Sequence, residues 1–159
     1  MKTLRRYIES GSVFFITCVT YDREPLLLEL PSLFLESWPG VVPLAWVLMP
    51  QHFHALLDVN STTVSMLMHS FKITYSRRFR DRVRAGWVWQ NRFWDHVIRD
   101  QVDMNRHLDY IHYNPVHHGQ VKDPFTYPYS TLKSWSDRGF YTRDWGVIDK
   151  LEFEGEFGE

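Results

Sequence analysis

A single cysteine, Cys18, stands among 159 residues. It excludes an internal disulfide and matches the usage of a reducing cytosol. Long apolar runs are also missing. The longest, VVPLAWVLMP over residues 41–50, spans ten residues, against roughly 20 for a bilayer-crossing helix. The N-terminus pairs no basic start with an apolar stretch, so no signal peptide is expected. No internal repeat or low-complexity segment appears, and the length suits one domain. Net charge is nearly absent as well, at −1, and by itself selects no class of partner.

What is present is unevenly placed. Between Phe71 and Arg84, six basic residues (Lys72, Arg77, Arg78, Arg80, Arg82, Arg84) face one acid, Asp81. The last eleven residues, DKLEFEGEFGE, hold five acids and one lysine. A mildly basic body at 1–148 therefore carries an acidic C-terminal tail at 149–159. Such a body can meet a polyanion, although a basic run on a helix also serves as a plain solvated face. Aromatic residues are plentiful at 16%.

Periodicity gives the elements. GSVFFITCVT (11–20), PLAWVLM (43–49) and FHALLDV (53–59) read as strands, with a turn at Pro50–Gln51. Four prolines between residues 21 and 43 leave room only for a short helix near Ser32–Trp38. Residues 62–83 predict the clearest helix, with Val64, Leu67, Met68, Phe71, Tyr75, Phe79 and Val83 at spacings of three and four. Ser61 or Thr62 is its expected N-cap, and Gly86 follows its end. Residues 86–100 read as one or two strands broken near Gln90–Asn91. A second helix is predicted over 103–114, capped by Asp103 and stopped by Pro115. After Val121 the chain reads as loop-rich. The order implies an α+β fold, a ferredoxin-like antiparallel sheet with helices mainly on one face.

The chemistry centres on MPQHFHALLDV (49–59). Side chains alternate along a strand, so His52 and His54 share one face and Phe53 takes the other. Two neutral imidazoles so placed can grip one divalent cation; two half-exposed strand histidines are the plainer reading. On helix 103–114, Tyr110 and Asn114 are four apart and stack on one face. Asn114 offers a carbonyl oxygen as a third ligand, and Tyr110 a phenol beside it. Periodicity alone does not choose Tyr110 over Tyr113 or Tyr75.

These segments resemble the REP-associated tyrosine transposases, the single-tyrosine branch of the HUH nucleases. The likeness rests on WVLMPQHFHALL (46–57), WQNRFWDHVIR (89–99), DYIHYNPVHHGQV (109–121), FYTRDWG (140–146) and RRYIESGSVFFIT (5–17), in that family's order. The resemblance implies an HUH nuclease fold with His52 and His54 as metal ligands, Asn114 as the third and Tyr110 as nucleophile. It implies Mg²⁺ or Mn²⁺ as cofactor, and metal-dependent nicking and strand transfer of single-stranded, hairpin-forming DNA through a 5′-phosphotyrosine. It further implies a cytoplasmic, nucleoid-associated bacterial protein, a monomer or homodimer with no other protein partner. Gln51 departs from the Asn, Asp or Glu usual before the first histidine. DNA contacts are expected from Lys72, Arg77, Arg78, Arg80, Arg84 and Arg92, and base stacking from Trp87, Trp89, Phe93, Trp94 or Trp135. A metal-dependent hydrolase, with Tyr110 merely structural, and a non-catalytic nucleic-acid binder are the alternatives. The acidic tail is either a solubilising end or a decoy polyanion over the basic cleft.

Overall fold

The computed structural model describes residues 12–159. Gly11 and the first part of the RRYIESGSVFFIT segment lie outside the described residues. Four strands, β1 (Val13–Val19), β2 (Ala45–Leu48), β3 (His52–Asp58) and β4 (Trp94–Val97), alternate with helices α1 (Ser32–Glu36), α2 (Val64–Arg82), α3 (Gln101–His117) and α4 (Leu132–Asp137). The sheet order is β2-β3-β1-β4, and every pairing is antiparallel. β2 and β3 form a hairpin closed by the Met49 N–H on the His52 carbonyl at 2.8 Å, with the turn at Pro50–Gln51 as expected.

The central strands are apolar at both parities, so both faces of the sheet need cover. Ile16, Cys18, Phe53, Ala55 and Leu57 pack against Leu67, Met68, Phe71, Tyr75 and Phe79 of α2, and against Leu33 and Phe34 of α1. Val13, Phe15, Ala45, Val47 and Leu56 pack against Met104, Leu108 and Ile111 of α3, and against Trp135 of α4. Helices mainly on one face were expected; they are divided between the two. The α3 layer arises because His52 and His54 share their face with Leu56, which needs a partner as much as Phe53 does. Cys18 is fully buried, and burial pushes its thiol up to about 12.

Element ends differ from expectation for local reasons. Thr63 caps α2, its hydroxyl accepting from the Met66 N–H at 3.1 Å, in place of Ser61 or Thr62. Asp100 caps α3, accepting from the Asp103 N–H at 2.8 Å, which moves the start ahead of Asp103. The helix also continues through Pro115 to His117. Proline removes one N–H near the end of the last turn, and the His118 N–H still reaches the Asn114 carbonyl at 3.0 Å. Between Gly86 and Asp100 only β4 forms; Trp89 adds an isolated bridge to Thr20. The C-terminal region expected as loop-rich contains the short helix α4. Among the described residues no helix is long and apolar enough to cross a membrane.

Candidate active site

β1 and β3 are in register with Thr17 opposite His54 and Val19 opposite His52. Pleat alternation then points both imidazoles at α3. The Thr17 hydroxyl donates to the Phe157 carbonyl and lies 2.7 Å from His54 Nδ1. His54 Nε2 faces the pocket. Phe15 stacks on the ring at 5.3 Å between centroids. Burial lowers the His54 pKa to about 4, against a weaker opposing pull from Glu159, so the isolated imidazole is held neutral, as a metal ligand must be.

α3 brings its own groups to the same place. His52 Nε2 lies 3.1 Å from Asn114 Oδ1. Two donors about 2.1 Å from one cation and at right angles around it stand roughly 3 Å apart. The two imidazoles and the amide oxygen therefore fit a divalent metal. Tyr110, one turn before Asn114, sits at 5.2 Å from His54 between ring centroids. Burial, reinforced by Glu159 nearby, raises its pKa well above the ordinary phenol value. The expected quartet of His52, His54, Asn114 and Tyr110 thus occupies one pocket within one chain.

The acidic tail fills that pocket. Phe157 lies flat on Tyr110, 3.7 Å between centroids and 6° between planes. Glu159 Oε1 is 2.5 Å from His54 Nε2, 3.4 Å from His52 Nε2 and 2.9 Å from Asn114 Nδ2, while Oε2 is 2.8 Å from His118 Nε2. Burial alone would raise the Glu159 carboxyl, but hydrogen bonds from His118, His52 and His54 outweigh it and hold the group far below the usual carboxylate range. The tail therefore engages through one aromatic ring and one carboxylate. It does not lie as a polyanion on α2, which packs on the opposite face of the sheet.

The far side of α3 is held by a buried network. His112 Nδ1 lies 2.8 Å from the Tyr141 hydroxyl and its Nε2 2.8 Å from Thr131 Oγ1, and burial lowers its pKa to about 3. Asp109 lies near Tyr141, and burial raises its carboxyl to about 6 from 3.8. An acid whose folded-state pKa is raised favours the fold fully below its unfolded pKa and loses that contribution as pH rises through the folded one. Asp109→Asn is expected to change stability little at pH 4 and to stabilise the fold by about 1–2 kcal/mol at pH 7, the full shift being discounted for partial exposure. Urea denaturation at the two pH values measures it.

The first turn of α3 is tied to β4 through Asp103, which accepts from His96 Nε2 at 2.8 Å and the Arg99 N–H at 3.0 Å. The basic run is less available than its count suggests. Arg84 pairs with Glu24 and Glu29, and Arg78 bonds the Glu36 carbonyl. Arg80 bonds the Gly86 carbonyl, and Lys72 the carbonyls of Gln90 and Arg92. Arg77 and Arg92 make no ion pair among the described residues. Of the candidate stacking rings, Trp89 and Trp135 are core, whereas Trp87 and Trp94 are exposed. Sequence reasoning missed Thr17, His118, Phe157 and Glu159. Only His118 left a signal, lying four residues beyond Asn114 and eight beyond Tyr110.

The family model described as "Transposase IS200 like" matches residues 35–114, a span that includes both histidines and Tyr110. A REP-associated tyrosine transposase of Escherichia coli is 31% identical, over 91% of this chain and 91% of its own. A Haemophilus influenzae relative is also 31% identical, over 98% of this chain and 99% of its own. A solved REP-associated tyrosine transposase bound to a REP hairpin superposes with a TM-score of 0.79 at 30% identity, covering 94% of this chain and 92% of that one. The chain belongs to the REP-associated tyrosine transposases, within the IS200-like transposase family.

Proposed function

We propose that this chain nicks single-stranded DNA beside a REP-like hairpin and rejoins it through a 5′-phosphotyrosine on Tyr110. The observation that supports this most directly is the shared pocket: the Tyr110 ring lies 5.2 Å from His54 between centroids, one turn before Asn114, whose amide oxygen is 3.1 Å from His52 Nε2. The phenolic oxygen attacks the scissile phosphorus. The P–O3′ bond breaks, the phenol gives up its proton and the leaving 3′-oxygen gains one. One phosphodiester replaces another, so the reverse attack by a 3′-hydroxyl reseals a strand without ATP.

His52, His54 and Asn114 would hold a divalent cation, Mg²⁺ or Mn²⁺, with imidazole favouring manganese. Such an ion supplies Lewis acidity at a phosphate oxygen. The chain's own residues do the remainder. Thr17 orients His54, and α3 carries the phenol one turn before Asn114. A phenol is only about a thousandth ionised near pH 7, and the raised pKa of Tyr110 with Glu159 beside it makes the closed state a poor nucleophile. We read the 149–159 segment as a tail that occupies the site until DNA or cation displaces it.

Phosphates of the hairpin stem are assigned to Arg77 and Arg92, with Lys72, Arg78, Arg80 and Arg84 joining by exchange of their present partners. All four site residues come from one chain, which supports an active site completed in cis by a monomer. A labelled hairpin carrying a single-stranded extension is expected to yield a detergent-stable protein–DNA adduct in Mn²⁺ or Mg²⁺, lost with chelator and restored by the ion. Cleaved DNA without any adduct would instead identify a hydrolase.

A further inference from the structure

We propose that His118 binds the scissile phosphate, its Nε2–H donating to the non-bridging oxygen turned away from the His52–His54 pair. The proposal rests on the DNA-cleavage reading of this pocket and adds a residue to it. It starts from how Glu159 is held. Three imidazoles present Nε2 to one carboxylate, but they divide its oxygens: His54 and His52 share Oε1, at 2.5 and 3.4 Å, and His118 takes Oε2, at 2.8 Å. A carboxylate and the non-bridging oxygens of a phosphodiester carry the same charge, over two oxygens of similar spread. The tail's carboxylate thus lies where the site accepts an anion, and its contacts show which groups a phosphate would meet there.

Position supports the role. The His118 N–H bonds the Asn114 carbonyl at 3.0 Å at the end of α3, so the helix that fixes Tyr110 and Asn114 also fixes this imidazole. The His118 ring packs on His52 at 5.1 Å between centroids. Its side chain is 29% exposed, so DNA can reach it once the tail leaves. To bond a carboxylate or a phosphate oxygen, Nε2 must carry the hydrogen. A donor aimed at a phosphate oxygen stabilises the charge that grows there during in-line attack.

The test uses the full-length chain carrying Glu159→Ala, so that no tail carboxylate is left for His118 to hold, and reads three quantities in Mn²⁺: single-turnover adduct formation, Mn²⁺ affinity by calorimetry, and hairpin affinity. His118→Ala is expected to slow adduct formation about 10²-fold, with Mn²⁺ and hairpin affinities unchanged. His118→Gln, whose amide N–H can still donate, is expected to recover about tenfold of that loss. The direction of the effect discriminates. If His118 only anchored the tail, its removal in that background would leave cleavage level or raise it. Either result overturns the proposal, as does loss of Mn²⁺ affinity, which would make His118 a metal ligand, or a Gln variant no better than Ala. Wild-type protein in the same assay separates the two levels, because failure of wild type to form any adduct defeats the cleavage reading itself.

Discussion

Tyr110→Phe is expected to abolish the covalent adduct and to lower strand transfer on the order of 10³-fold or more, as loss of a nucleophile does. Hairpin affinity is expected to stay within about twofold, since phosphate and base contacts rather than the phenol carry binding. The substitution removes one oxygen and leaves the ring, so Phe157 can still stack on it and Phe15 can still meet it edge-on at 6.1 Å. A fall in activity through unfolding is therefore not expected, and an unchanged melting temperature checks this. A gel of boiled, detergent-treated reactions reads the adduct, and a paired-substrate assay reads the transfer. Cleavage that survived the substitution would assign the attack to water.

The second large effect is release of the tail. Gly158→Ala in the full chain is expected to raise adduct formation on the order of 10- to 100-fold, the gain available when a closed state populated at roughly 90–99% is opened. Gly158 has φ +80°, and a Cβ there would lie 2.3 Å from Trp94 Cβ and Cγ. Both the backbone angle and the contact resist alanine, so the substitution strikes the segment carrying Phe157 and Glu159 without touching any proposed catalytic group. Deleting residues 149–159 is expected to act in the same direction. Contacts of this kind are opposed by the entropy of ordering the segment, which is why the net closure is modest and displaceable. If neither change raised the rate, the tail would be packing without control.

Much of the site was legible because it rests on short-range periodicity. Alternation along FHALLDV placed the imidazoles together, and the four-residue spacing placed Tyr110 and Asn114 on one helical face. The same spacing continues to His118, and the proline rule concealed it: Pro115 reads as a stop, whereas the loss of one N–H near a helix end leaves the following turn intact. Apolar residues at both parities of VFFITCV already asked for cover on two sides, but that cover comes from α3, which lies more than 80 residues further along the chain. The arginines in and just beyond α2 could be counted but not paired, since Glu36 reaches Arg82 and Glu24 and Glu29 reach Arg84 across a fold the local pattern does not encode. The tail was legible as acidic. Its destination was not, because what decides it is one phenylalanine matched to one tyrosine ring and one carboxylate matched to three imidazoles.

The central claim is tested most directly by finding which residue carries the DNA. The protein is incubated with Mn²⁺ and a hairpin whose cleavage product cannot rejoin, then digested, and the nucleotide-bearing peptide is sequenced by mass spectrometry. The account predicts a single modified residue, Tyr110, joined to a 5′-phosphate. Modification of Tyr113, Tyr75 or any other residue, or efficient cleavage with no modified peptide, would contradict it.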